Sequence, residues 1–236
     1  MEIGTVLSLP GAALAELAGA AFDFAWIDLE HGALGLGDMQ AMAVGLAASG
    51  CAAHVRLPSS RSDCLAAVLD AGADGVVAPR VESADEACEL VNRLLYPPVG
   101  RRGFGPRRAG CYGRSAPESR VTCTVQIETR AGVAAAAEIA AIDGVDALVV
   151  GCSDLSFDLD APLDLSAASV REAVESVAAA AASAGARFGV AASGDPAVVA
   201  ALAAGRAHLL VYSADTRIYS HAVDAALRSL EDVGGA

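Results

Sequence analysis

The chain contains no lysine, so all 16 of its Lys-or-Arg positions are arginine. That excludes every mechanism in which a lysine amine forms an imine with a carbonyl substrate. Aromatic residues are scarce, at 4% of a sequence that is 54% hydrophobic, so the core has to be built from Ala, Val and Leu. The six cysteines include no C-x-x-C pair and no His–Cys metal spacing. Most fall inside apolar patterns, where a thiol behaves as a small hydrophobe. This points to a reducing, cytoplasmic compartment without a disulfide framework. The opening MEIGTVLSLPG lacks a basic stretch followed by a long apolar one, so no signal peptide is read there. The apolar run at 177–184 is too short and too Ala-rich to span a bilayer. Positive charge is also in deficit: a formal charge of -13 argues against nucleic acid or an anionic membrane as a partner.

What the sequence does have is alternation. Short apolar runs recur at 5–9, 24–28, 53–57, 75–79, 122–128, 147–151, 187–191 and 208–212, separated by amphipathic helical segments, several of which stop on glycine. A last helix follows the eighth strand. Eight βα units in 236 residues match a (β/α)8 TIM barrel, whose usual length is about 250 residues. The α/β competitor, a doubly wound open sheet, normally carries a glycine-rich phosphate turn after its first strand, and TVLSLPG is not one. No linker or charge run divides residues 1–236, which are read as a single domain.

In such a barrel the chemistry sits at the C-terminal ends of the strands. Strand two ends in Asp28, followed by Glu30 and His31; strand three ends in Arg56; strand five ends in Gln126 and Glu128; strand six runs into GCSDLS with Asp154. No comparable polar set is read at the opposite end. Two-residue spacing puts Gln126 and Glu128 on one face of their strand, and His54 and Arg56 on one face of theirs. Glu128 and Asp154 are either solvated loop acids or a pair that needs a cation, since like charges brought together raise one pKa. Carboxylate ligation with open positions suits Mg²⁺ or Mn²⁺ better than zinc. Arg56 is either a snorkelling strand-end arginine or a fixed cation for a carboxylate or enolate oxygen. His31 is either an ordinary polar residue or a general base oriented by a hydrogen bond to Asp28.

IDLEHG, HVRLPS, VVAPRVESADEA, RRGFG, VQIETRAG and GCSDLS, in this order, resemble the HpcH/HpaI family of class II, metal-dependent pyruvate aldolases, over nearly the whole chain. The resemblance implies Glu128 and Asp154 as ligands of a divalent ion (Mg²⁺ or Mn²⁺, with Co²⁺ admissible). It implies His31 as base assisted by Asp28, and Arg56 on the keto or enolate oxygen. Gln126 would support the metal shell, and the backbone of Gly151, Cys152 and Ser153 would cradle the substrate carboxylate. The substrates implied are a 2-oxo acid, pyruvate, and an aldehyde, in a homo-oligomer (hexamer or trimer) whose last helix packs on a neighbour.

Departures from the family pattern are Val6 where a tryptophan is common, Cys152 where proline is frequent, His54 at a usually apolar inward position, and FDLDAPLD after Asp154. They put acceptor specificity in question and leave room for a specialised biosynthetic role. Oxo-acid decarboxylation or citrate-lyase-like cleavage is the alternative enzyme, and a metabolite-binding barrel without turnover the non-enzyme one. The arginine-rich segment 101–114 is either a structural or intersubunit element, or a lid that attracts anionic substrates.

Overall fold

The computed structural model describes residues 1–105, 107–116 and 121–234. The described residues contain eight parallel strands closed in chain order, β1 pairing with β8. They are β1 (Glu2–Leu7), β2 (Phe24–Asp28), β3 (Ala52–Arg56), β4 (Gly75–Ala78), β5 (Thr122–Ile127), β6 (Ala147–Gly151), β7 (Arg187–Ala192) and β8 (Leu209–Ala214). The helices are α1 (Ala12–Gly19), α2 (Leu36–Ala48), α3 (Leu65–Asp70), α4 (Ala84–Leu94), α5 (Arg130–Ala140), α6 (Cys152–Asp158), α7 (Ala168–Ala184), α8 (Pro196–Ala203) and α9 (Asp215–Gly234). The TIM-barrel expectation holds. The largest shifts are at β1, which begins three residues earlier than the apolar run predicts, at Glu2, and at β8, which extends to Ala214. GCSDLS is also more than a loop, because β6 passes straight into α6 and places Asp154 in its first turn.

β2, β4 and β6 are buried along their whole length, as strands covered on both faces must be, and their sequences are accordingly continuous apolar runs. Outward side chains join the helices in one large core. Inward ones, chiefly Phe24, Trp26, Val77, Val149, Leu209 and Val211, fill the lumen. The lumen floor alternates large with small, as barrel layers do. His54 stacks on Phe24 with ring centroids 5.6 Å apart, in space that a Cβ on Gly75 would take, 2.8 Å from the imidazole. Burial there lowers the His54 pKa, so the ring packs as a neutral aromatic. Val6 faces Trp26 across the β1–β2 pair, so the single tryptophan of the chain supplies the wall from the neighbouring strand.

The N-terminal end of the barrel holds a regular device that the sequence reading overlooked. Asp23, Asp74 and Asp146 each stand immediately before β2, β4 and β6. Their carboxylates accept the backbone N–H of Ile3, Ala53 and Cys123 at 2.8 Å each. Their own N–H groups return a bond to the carbonyls of the same three residues at 2.8–2.9 Å. His208 does likewise before β8, its Nδ1 accepting from Phe188 N–H at 3.1 Å. The expectation of a bottom end without a comparable polar set is corrected here.

The arginine-rich segment belongs to the same end. Arg102 pairs with Asp70 and stacks over Tyr96, Arg101 pairs with Glu89, and Arg108 donates to the Gly72 carbonyl at 3.1 Å. Within the chain it therefore braces the α3–β4 corner. It is not a lid over the chain's own mouth.

Candidate active site

The C-terminal strand ends enclose a cavity of about 450 Å³. Asp28, His31, Arg56, Gln126, Glu128, Gly151, Ser153 and Asp154 all contribute to its lining. Cys152 is fully buried behind the wall, so only its backbone is available to the site. Burial, with Glu128 nearby, pushes its thiol up to about 12, which removes a nucleophilic role.

Arg56 is the fixed point. Its guanidinium donates to both carboxylate oxygens of buried Asp28, at 2.9 and 2.8 Å, and lies 3.2 Å from Glu30 Oε2. Register explains the first contact, since Asp28 and Arg56 are directly paired residues of β2 and β3. Burial works against the Asp28 charge, but the Arg56 hydrogen bonds and charge, with two backbone N–H donors, outweigh it and hold the carboxyl below the usual range. A bidentate pair of this kind holds the guanidinium plane in one orientation.

Those backbone donors revise one expectation. The bond from His31 to Asp28 comes from the His31 main-chain N–H, at 3.3 Å, and Glu30 N–H adds another at 3.0 Å. The imidazole itself is exposed at the rim, 3.9 Å from Glu30 Oε2. Asp28 thus shapes the turn carrying His31, and Glu30, which the sequence flagged without assigning a role, is the carboxylate beside the ring and the second partner of Arg56.

Across the cavity, Glu128 is 3% exposed. Gln126 Nε2 donates to its Oε1 at 2.9 Å, and the Arg80 main-chain N–H to its Oε2 at 3.0 Å. Arg80 reaches that position with a left-handed backbone, φ 50°. Strain of this type persists where the surroundings enforce it, commonly at functional sites. Gly151 is required by space: a Cβ there would lie 2.2 Å from Glu128 Oε1. Burial first, then the charges of Asp154 and Glu30, push the Glu128 carboxyl up to about 7. Glu30 is raised too, by burial, with Asp28 and Asp154 adding to it against Arg56 and His31. Asp154 thus acts electrostatically on both, and it lines the same cavity as Glu128. The buried Gln126 Oε1 has no partner among the described residues.

The remaining wall comes from β1, β7 and β8 and carries no charge at the cavity surface. It consists of small apolar residues with Ser8, Ser193, Ser213 and Thr216. Asp215, at the head of α9, fastens this side by accepting from Ser8 N–H, Ser8 hydroxyl and Leu9 N–H at 2.7–2.9 Å. Sequence reasoning missed this wall, because hydroxyl residues at strand ends carry no distinctive pattern.

The chain is 39% identical over 186 residues to a hydroxypyruvate/pyruvate aldolase of Roseovarius nubinhibens, covering 76% of this chain and 72% of the relative. It is 36% identical over 180 residues to a 4-hydroxy-2-oxovalerate aldolase of Rhodococcus jostii, covering 73% and 70%. Its fold is similar to the crystal structure of an HpcH/HpaI aldolase/citrate lyase family protein from Burkholderia cenocepacia, with TM-score 0.91, 30% identity, and coverage of 98% and 94%. The family model for HpcH/HpaI aldolase/citrate lyase matches residues 6–222, and with the strand-end constellation in place the chain belongs to that family.

Proposed function

We propose that the protein is a class II aldolase that makes or breaks a carbon–carbon bond beside pyruvate, using a divalent cation held by Glu128 and Asp154. The observation that carries this reading is the buried Glu128 in a cavity that Asp154 also lines. Glu128 is buried while Asp154 is exposed on the same cavity, and a cation held between them would offset the cost of the buried charge. The donor set fits such an ion: it offers hard oxygens, and Gln126 keeps a buried carbonyl oxygen unpartnered beside it. Among the described residues no cluster of three or more His, Cys, Asp or Glu side chains is placed to hold a metal, so an ion on Glu128 and Asp154 would depend on substrate and water for its other ligands. When bound, the cation supplies Lewis-acid stabilisation of the negative charge on the enolate oxygen.

The side chains divide the remaining work. Arg56, immobilised by Asp28 and Glu30, presents guanidinium N–H groups to the 2-oxo oxygen, where charge develops as the enolate forms. The backbone from Gly151 to Ser153 receives the substrate carboxylate. His31 takes the proton of the 4-hydroxyl during cleavage. The C3–C4 bond then breaks, its electrons pass into the enolate, and the former C4–O becomes an aldehyde. Protonation at C3 yields pyruvate; synthesis runs the same steps backwards, with His31 returning its proton to the nascent alkoxide.

Incubation with pyruvate in D₂O tests the reading. Methyl-proton exchange followed by NMR should occur with Mg²⁺ or Mn²⁺ and stop on chelation. Absence of exchange with every divalent ion overturns it.

We also place the protein in a reducing, cytoplasmic setting, which the six free cysteines support; no described helix is long and apolar enough to cross a membrane. A homo-oligomer is proposed as well, since α9 leaves Tyr219, Leu227 and Leu230 exposed.

A further inference from the structure

The two walls of the cavity differ in kind, and the difference bears on which aldehyde is accepted. Among the described residues that line the cavity, Arg56 is the one cation, and Asp28 and Glu30 already hold it. The opposite wall, from β7 and β8, offers hydroxyls instead. Ser8 is committed to Asp215, whereas the hydroxyls of Ser193, Ser213 and Thr216, three residues that line the cavity, make no hydrogen bond among the described residues.

Ser213 is placed there by a specific backbone device. In the β1–β8 pair, Gly4 opposes Val211 and Val6 opposes Ala214, so Thr5 alone faces both Tyr212 and Ser213. Such a bulge re-aims the side chain it carries. The buried Thr5 hydroxyl sits 3.1 Å from the Tyr212 carbonyl and 3.4 Å from that of Ser213, pinning the bulge. Ser213 adopts φ 59°, a left-handed conformation that strains any residue with a Cβ, and is 7% exposed. A strained serine, locked from behind and lining a cavity, is a candidate for a recognition contact.

Resting on the aldolase reading above, we infer that Ser213, with Thr216 and Ser193, forms the acceptor subsite and selects a short, uncharged aldehyde carrying a hydroxyl. An aldehyde bearing a carboxylate or phosphate would meet no free cation among the described residues of this wall and would share the cavity with Asp154, so it is rejected. An aldehyde without the hydroxyl leaves Ser213 unpaired and loses the corresponding bond.

The test uses pyruvate as donor, a divalent ion, and three two-carbon acceptors: glycolaldehyde, acetaldehyde and glyoxylate. The wild type should favour glycolaldehyde over acetaldehyde by about tenfold in kcat/KM, the worth of one hydrogen bond, and over glyoxylate by more. Ser213→Gly, which also relieves the left-handed strain, should bring the first ratio close to one, and Thr216→Val should lower it partway. An unchanged ratio in both variants, or a wild-type preference for glyoxylate, overturns the inference while pyruvate methyl exchange by the wild type still supports the aldolase. Loss of that exchange in the wild type overturns the aldolase reading and this inference with it.

Discussion

The two ends of the barrel use carboxylates in opposite ways. At the N-terminal end, Asp23, Asp74 and Asp146 each receive a main-chain N–H from the adjoining strand, and water reaches the exposed Asp23 and Asp74. At the C-terminal end, Asp28, Glu30 and Glu128 are buried or half-buried, Asp154 is exposed on the same cavity, and among the described lining residues Arg56 is the one guanidinium. A carboxylate with satisfied bonds and solvent stabilises a fold; a crowded set keeps unspent capacity for a cation and a substrate. Identical chemistry therefore gives structure at one end and reactivity at the other.

Substitutions that break the comparison rank by end. Glu128→Gln should lower pyruvate-forming kcat/KM by about a thousandfold, as loss of a main electrostatic group does, and abolish Mg²⁺ or Mn²⁺ binding in calorimetry. Retained tight binding would refute the ligand assignment. His31→Ala should reduce turnover by about a hundredfold and leave metal affinity intact, which separates proton transfer from ligation.

The metal-free protein offers a pH test of the crowding itself. Glu128 rises from an ordinary 4.5 to about 7 on folding, so the folded state binds its proton more tightly than the unfolded state. Stability therefore falls as pH climbs from about 4.5 to about 7, by about 3 kcal/mol, and is level above that. Urea unfolding with a chelator should show this slope in the wild type and a reduced one in Glu128→Gln. Equal slopes would mean that Glu128 is effectively in water.

At the other end the effects shrink. Asp74→Ala should cost about 1 kcal/mol, lowering Tm by about 2–4 °C, with pyruvate exchange unaltered. Arg108→Gln should shift Tm by less still and leave KM for anionic substrates unchanged, because its guanidinium serves the Gly72 carbonyl. A raised KM would restore a substrate-attracting role for that segment.

The legible part of the site was the part set by strand parity. Asp28, Arg56 and Gln126 are inward residues of apolar strands and Glu128 follows β5 in the same parity, and a polar group in that position announces itself. Glu30 lies beyond the strand, where no periodicity applies, so its grip on Arg56 was hidden. The Arg80 contribution is a main-chain amide, which any residue except proline could supply. α6 spans Cys152–Asp158, too short for a helical pattern to emerge. The basal aspartates were invisible because an acid before a strand reads as a solvated turn. His54 became intelligible only when Gly75 proved to be its neighbour across the β3–β4 pair.

The basal bonds have one more consequence. They join residues 20, 21, 23 and 20 positions apart in sequence, always an odd strand to the even strand that follows. Each clasp therefore closes one strand–helix–strand quarter using nearby residues alone, and short closures form early and at small entropic cost. The cylinder is in effect stapled together from four prefabricated panels, and that division frees the opposite rim to accumulate changes such as Val6 without endangering assembly.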